Sequence, residues 1–324
     1  LFDSTTGLEK DGNTFGVWGY YVSGEEFTTG AENVFASTPI TVTRTNDVWG
    51  YGEAAKWIPN KNYRFYAYAP ASLGADVTVG SSVGDNQVTI ENFKVVGTTD
   101  NGVMAYAPAR HIDALVAHRY DRDIRTAFDN SKIGLTFKHI LTNVNLKFNT
   151  TSKYEIELTK VQLKGVNTKG DATVTPDVVG AEVDPMVITW ANQAVPLAFA
   201  GALNTDPIVS GGEGENNINV VGESFASMEN MLMIPQNFEA KALVLDIEYT
   251  VGGKGEDGDA TFKREVQLSN GQNSTNSWVA GTRITYVITI NTANGDNGNS
   301  YDIVFGVTTT PDFIDGTNGT GSAK

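Results

Sequence analysis

The chain has 324 residues, 40% of them hydrophobic and 10% aromatic, which is enough apolar material for two cores of roughly 150 residues each. Its 38 acidic residues outnumber its 23 basic ones, and the net charge of -15 disfavours binding to nucleic acid and to anionic membrane surfaces. The absence of cysteine excludes disulfides, thiolate zinc sites and a cysteine nucleophile.

Short runs of β-branched and aromatic residues, separated by clusters of Gly, Asn, Thr and Asp, predict an all-β protein. About seven strands fall in each half of the chain, the number expected of a Greek-key sandwich. In chain order, the clearest strand candidates are residues 15–22, 40–45, 63–69, 87–96, 113–119, 186–190, 231–235, 261–268 and 301–307.

The stretch LTFKHILTNVNLKF, residues 135–148, predicts a long strand that changes phase. In its first part the apolar residues, such as Phe137, occupy odd-numbered positions together with His139. In its second part the apolar residues occupy even-numbered positions. We therefore predict a β-bulge at Asn143. His139 shares its face with leucine and phenylalanine and has no acidic neighbour in phase. We interpret it as a satisfied core or interface residue and not as a catalytic base or metal ligand.

Three further strands show how their faces divide. YEIELTKVQL, residues 154–163, shifts phase between Leu158 and Val161, which predicts another bulge. ALVLDIEYTV (242–251) and RITYVITI (283–290) alternate apolar with polar residues, so one wall of each strand should be buried.

The polar segment NTTSK, residues 149–153, is the predicted boundary between two domains, residues 1–150 and 151–324. Residues 201–224 are rich in Gly and Asn and predict a long loop, a feature that is usually functional or mobile. The final GTNGTGSAK predicts a disordered tail.

The segment ARHIDALVAHRYDRD, residues 109–123, gathers side chains that could bind a metal or transfer protons. These are His111, Asp113, His118, Asp121 and Asp123. On a strand the first two share a face that His118 does not, and no HExxH helix spacing is present, so a solvated loop and strand end is the simpler interpretation. GKGEDGDA and NGDNGNS have the composition of calcium loops but not their ligand order, and hairpin turns explain both. We therefore expect no catalytic residue, cofactor or metal.

The richest aromatic cluster is Trp18, Tyr20, Trp49, Tyr51 and Trp57. The favoured interpretation is that these rings fill the first sandwich core or pack at its edge. The alternative is that Trp18, Trp49 and Trp57 are exposed and stack on the sugar rings of a glycan.

Five phrases of the sequence resemble the fimbrillin family of Bacteroidales, the subunits of type V pili, in their order and spacing. They are VWGYY, VWGYGEAAKWIPNKNYRFYAYAP, LTFKHILTNVNLKF, MLMIPQ and WVAGTRITYVITI, and the resemblance covers roughly residues 15–292. The resemblance implies a non-catalytic pilus subunit with two tandem transthyretin-like Greek-key β-sandwich domains, exported as an outer-membrane lipoprotein precursor.

In that family a trypsin-like protease removes an N-terminal strand, and the vacated groove of the first domain accepts a C-terminal strand of the neighbouring subunit. Main-chain hydrogen bonds then join the strands, and alternate apolar side chains fill pockets of the open core. The family's lipoprotein cysteine and cleavage arginine have no counterpart here. The sequence starts at Leu1, fourteen residues before FGVWGYY, where a processed form would begin, although a start unrelated to processing fits equally well.

The best donor candidate that the resemblance implies is YDIVFGVTTTPDF, residues 301–313. Tyr301, Ile303, Phe305 and Val307 alternate in it, as a donor strand requires. The same pattern also fits the last strand of the second domain, folded back on its own subunit.

We therefore expect a structural and adhesive subunit of a cell-surface fimbria. Its partners would be other fimbrial subunits, in a homo- or heteropolymer, and a host or bacterial surface receptor. The alternative is a glycan-binding surface lipoprotein that uses the tryptophans, and a hydrolase comes third. Stalk, tip and anchor positions remain open, and the 201–224 loop keeps a tip adhesin among them.

Overall fold

The structure is a computed structural model, and it describes residues 5–28, 30–52, 55–95, 103–105, 111–121, 133–150, 156–176, 186–191, 197–200, 231–240, 242–255, 258–269, 276–290, 303–311 and 321–322. Within these ranges the only helix is a single turn, α1 (Thr5–Leu8), and almost every other element is a strand. The predicted all-β class is confirmed. No helix of the described ranges is long and apolar enough to cross a membrane.

The first twelve strands precede or include residue 150. They are β1 (Thr14–Val22), β2 (Glu32–Asn33), β3 (Ile40–Thr45), β4 (Val48–Gly50), β5 (Asn62–Ala69), β6 (Thr78–Ser82), β7 (Gln87–Lys94), β8 (Val103–Ala105), β9 (Leu115–Asp121), β10 (Gly134–Leu135), β11 (Lys138–His139) and β12 (Thr142–Thr150).

The second twelve strands follow residue 150. They are β13 (Ile156–Val166), β14 (Lys169–Pro176), β15 (Met186–Ala191), β16 (Leu197–Ala200), β17 (Met231–Met233), β18 (Gln236–Asn237), β19 (Val244–Gly255), β20 (Gly258–Gln267), β21 (Ser277–Trp278), β22 (Thr282–Ile290), β23 (Ile303–Pro311) and β24 (Gly321–Ser322).

Four larger sheets organise these strands. The first sheet has the order β11-β9-β5-β1-β3-β4, with β2 also paired to β1, and the second has the order β15-β14-β7-β6. The third sheet is β20-β19-β13-β16-β8 and the fourth is β17-β12-β22-β23. Two small pairs, β10-β24 and β18-β21, complete the described pairings. Neighbours are antiparallel except in the parallel pairs β12-β22 and β8-β16.

Three of the larger sheets join strands from both sides of residue 150, and in the third sheet it is β8 that runs parallel to β16. In the second sheet β7 pairs with β14, so that Val88 lies opposite Val174. In the fourth sheet β12 runs parallel to β22, with Phe148 opposite Ile288. Main-chain hydrogen bonds therefore link the two predicted domains, and the division at residue 150 itself stays a prediction.

The first sheet is buried on both faces because it lies between two apolar clusters. The larger cluster takes Trp18 and Tyr66 from one face and continues into the other sheets. The smaller cluster takes Phe15 and Phe65 from the opposite face. Burial on both faces explains why β1 and β5 are almost continuously apolar or aromatic in sequence.

Residues 135–148 do not form the single bent strand that was predicted. They contribute to β10, β11 and β12, which pair in three different sheets. Asn143 lies inside β12 and is paired on both sides, so the bulge predicted there is wrong. The phase changes instead at Ile140 and Leu141, two consecutive, fully buried residues where the chain leaves the first sheet for the fourth.

The other alternation patterns are confirmed. The register of β13 against β19 shifts between Leu158 and Lys160, where the second bulge was predicted. The predicted core faces of β19 and β22 are buried. GKGEDGDA lies at the β19-β20 hairpin, with Gly255 opposite Gly258. The 201–224 loop and NGDNGNS lie outside the described residues.

Candidate assembly and ligand-binding surfaces

The donor candidate lies mostly in β23, the terminal strand of the fourth sheet. Ile303, Phe305 and Val307 belong to this strand, whereas Tyr301 lies outside the described residues. Nine residue pairs join β23 to β22 in antiparallel register, from Ile303 opposite Ile290 to Pro311 opposite Thr282. In this conformation the segment therefore pairs with its own chain, and its role as a donor stays a prediction.

The strand beside β23 is firmly anchored in the core. On β22, the side chains of one face are fully or almost fully buried: Ile284, Tyr286, Ile288 and Ile290. Burial raises the pKa of Tyr286, and its hydroxyl accepts a hydrogen bond of 3.0 Å from Trp278 Nε1. Because β22 also pairs with β12, release of β23 would expose a single new edge on an intact sheet.

Near the C-terminal end of the chain, β24 lies beside a strand that contributes to the smaller apolar cluster of the first sheet. β24 pairs antiparallel with β10, so that Gly321 lies opposite Leu135. Leu135 belongs to the smaller apolar cluster of the first sheet. The C-terminal segment thus lies, in its own chain, next to the part of the molecule where the resemblance implies an acceptor groove.

Trp18 and Trp49, two of the three candidate glycan-stacking residues, are core residues in this conformation. The Trp18 side chain is 4% exposed and its ring lies 5.3 Å from that of Tyr68. Trp49 is 2% exposed and packs edge-on against Phe15 at 4.9 Å. Rings enclosed in this way offer no face to a sugar, which agrees with the favoured interpretation as core packing.

Trp57 differs from them because it is only half-buried. Its ring packs edge-on against Tyr63, with 4.7 Å between the ring centroids. Tyr51, which is close to Trp57 in sequence, forms an edge-on pair with Phe35 at 5.6 Å. The two rings line an open cleft of about 500 Å³ with Ile40 and Thr41. This cleft combines aromatic rings with a hydroxyl, which is the chemistry that a bound sugar uses. The glycan-stacking role of the tryptophans stays a prediction.

His139 has an acidic partner that the sequence pattern did not indicate. Its Nδ1 lies 2.7 Å from Asp113 Oδ1, and the two side chains are 2% and 1% exposed. The interpretation of His139 as a satisfied core residue is confirmed, but the expectation that no carboxylate accompanies it is wrong. Asp113 precedes β9 and His139 lies on β11, which pairs with β9, so the bond fastens a two-residue edge strand to the sheet.

The other described residues of segment 109–123 do not converge on a metal site. Within the described part of the chain, no group of three His, Cys, Asp or Glu side chains is placed to hold a metal ion. Burial lowers the pKa of His111 to about 4, and burial together with the Arg64 cation lowers that of His118 to about 3. Asp123 lies outside the described residues.

Comparison with known proteins agrees with the sequence resemblance. A family model described as fimbrillin-like matches residues 4–311. A fimbrial protein from Bacteroides vulgatus is 20% identical, with a TM-score of 0.54 over 92% of each chain. A candidate cell adhesion protein from Bacteroides uniformis is 13% identical, with a TM-score of 0.47, and the alignment covers 94% of this chain and 93% of that one. No curated protein sequence matches. Because the family model covers nearly the whole sequence, this chain belongs to the fimbrillin-like family.

Proposed function

We propose that the chain is a structural and adhesive subunit of a cell-surface fimbria, without catalytic activity. The observation that carries this proposal is the fimbrillin-like family match over residues 4–311. The proposal includes two tandem transthyretin-like sandwich domains, residues 1–150 and 151–324, and an outer-membrane lipoprotein precursor. Its partners are other fimbrial subunits and a surface receptor.

Assembly in this proposal proceeds by protease-triggered strand exchange. The donor is the segment of Tyr301, Ile303, Phe305 and Val307, and the acceptor is a groove in the first half of a neighbouring subunit. Two features support the assignment. β23 is held by one neighbouring strand only among the described residues, and its sequence alternates as a groove-filling strand must.

A matched pair of variants tests the donor. Phe305→Asp places a charge on the face that would enter the groove, whereas Val304→Asp places the same charge on the opposite face of the same strand. After mild trypsin treatment of the precursor, wild type and Val304→Asp should form SDS-resistant ladders and filaments visible by electron microscopy. Phe305→Asp should form at least about tenfold fewer, since a buried unpaired charge costs several kcal/mol.

Circular dichroism of both monomers controls for folding, because β23 is also part of its own sheet. Equal assembly by the two folded variants would refute the donor assignment. A wild-type precursor that remains monomeric after trypsin treatment would refute strand exchange altogether.

The cleft of Phe35 and Tyr51 favours a second candidate function, glycan binding at the cell surface. Tyr51→Ala and Trp57→Ala should each abolish binding to a glycan array if this function holds. Val48→Ala, an exposed apolar position of β4, serves as the control. An array on which the wild-type protein binds nothing dismisses this candidate.

A further inference from the structure

Arg64 is a cation held inside the protein. It lies on β5, where its backbone pairs with Tyr20 of β1 and Tyr120 of β9. The residue is 4% exposed, although arginine is almost never fully buried unless it is paired. Its position therefore calls for a compensating partner.

The described neighbours of the guanidinium are mostly aromatic rings. Its Cζ lies 4.4 Å from the ring centre of Phe27 and 5.5 Å from that of Tyr120. Its Nη1 lies 3.5 Å from the Tyr66 hydroxyl, which is longer than a good N–H···O bond. Within the described part of the chain, Nε is buried without an acceptor and no carboxylate forms an ion pair with Arg64. Among the described residues, only one hydrogen-bond acceptor is therefore in reach of the five N–H donors of the guanidinium.

The titratable groups near Arg64 do not neutralise it. Burial raises the pKa of Tyr66 to about 12, so its hydroxyl is neutral, and it donates to Asn86 Oδ1 at 2.8 Å. The His118 ring lies 5.2 Å from that of Tyr66, and its low pKa keeps it uncharged at neutral pH. The Tyr20 hydroxyl is engaged with Ser81 Oγ at 2.7 Å. None of these three side chains therefore carries a negative charge that could compensate the guanidinium.

Arg44 is a comparable arginine of the same chain, and its charge has an additional partner. Its guanidinium lies 5.8 Å from the ring centre of Trp49, and its Nη2 also forms an ion pair with Asp47 at 3.2 Å. A single cation–π contact stabilises by less than the burial of an ion costs. Both arginines have a buried Nε without an acceptor, but among the described residues only Arg44 also has an ion-pair partner.

We propose that Arg64 is the centre of a binding site for a small monovalent anion, a halide or a carboxylate, at the end of the first sheet next to the turn that joins β6 and β7. The planar guanidinium fork suits a carboxylate or a single halide. A phosphate with two negative charges would require a second cation, which the described surroundings do not provide. This site is independent of strand exchange.

Bromide is the probe that tests the site. Crystals soaked in sodium bromide should show an anomalous difference peak within hydrogen-bonding distance of the Arg64 guanidinium. The peak should be absent in Arg64→Met, which keeps much of the side-chain volume but removes the charge. Should Arg64→Met fail to fold, Arg64→Lys takes its place, with the expectation of a weakened peak because the planar fork is lost.

A solution measurement gives the second readout. At a bromide concentration of ten times its Kd, the folding equilibrium constant of the wild type should rise about 11-fold, and that of Arg64→Met should not follow. General salt effects cancel between the two proteins. Displacement of bromide by acetate identifies a carboxylate site, and failure of acetate to displace it identifies a halide site. Identical bromide dependence of the two proteins, or a peak at crystal concentration only, overturns the proposal.

Discussion

Replacement of His139 by leucine should destabilise the protein by roughly 3–5 kcal/mol, because Asp113 would keep its buried position without its imidazole partner. The two groups lie 2.7 Å apart, and their side chains are 2% and 1% exposed, so water cannot replace the lost bond without rearrangement of the sheet edge. Asp113→Leu should cost less, about 1–3 kcal/mol, because it leaves behind a buried imidazole and not a buried carboxylate. The double variant should be more stable than the sum of the two losses predicts, by about 2 kcal/mol.

Urea unfolding, followed by tryptophan fluorescence and circular dichroism, measures this coupling. Lys138→Ala is the control, because Lys138 is the exposed neighbour of His139 on β11 and its loss should change stability by less than about 0.5 kcal/mol. Hydrogen exchange adds a local readout, since the Ile140 amide donates to the Ala114 carbonyl at 3.1 Å and should exchange faster in His139→Leu. A coupling energy within about 0.3 kcal/mol of zero would refute the reasoning.

Two further predictions concern stability. Gly165→Ala should cost several kcal/mol and Gly12→Ala only about 1–2 kcal/mol. Both glycines have left-handed φ angles, 87° at Gly165 and 90° at Gly12. A Cβ at Gly165 would overlap the Ala242 carbonyl oxygen, whereas a Cβ at Gly12 meets nothing within 4 Å. Thermal denaturation of the two variants therefore separates the cost of steric overlap from that of backbone strain. His118→Gln should flatten the acid side of the stability profile. The pKa of His118 falls from 6.5 to about 3 on folding, so only the unfolded chain gains a proton in that window, and stability should drop as the pH falls by up to about 1.4 kcal/mol per unit. An unchanged slope in urea titrations from pH 6.5 to 4 would contradict this.

Local alternation predicted the strands well because it depends only on which face of a strand is buried. The core faces of β19 and β22 and the bulge in β13 follow directly from residue order. Alternation carries no information about sheet partners. It therefore could not reveal that residues 135–148 contribute to three sheets. Two consecutive buried residues are the pattern expected both of a bulge and of a change of sheet.

The Asp113–His139 pair shows a second limit of local pattern. The two residues are separated by 26 positions and meet only because β11 returns to β9. The sequence contained one usable signal, an aspartate directly before an apolar strand and a histidine within another. Each alone suits a solvated strand end or a core residue, so only the pairing of the strands makes them a unit.

The donor segment is ambiguous in sequence for a physical reason, and that reason bears on how assembly would be driven. Alternating apolar residues fill a buried face in the same way whether the adjacent strand belongs to their own chain or to a neighbour. In its own chain β23 already forms nine residue pairs with β22, so transfer to a neighbouring subunit exchanges one set of main-chain bonds for another. Such an exchange gains little by itself, because the net value of each bond is only about 1 kcal/mol and both states have it.

The driving force of the proposed assembly must then come from the acceptor, whose sheet edge and apolar pockets, once vacated, remain uncovered until a strand enters. A protease that removes the covering strand from the acceptor would supply this force at the moment of cleavage, which is why the proposed exchange requires processing and not merely a free C-terminal strand.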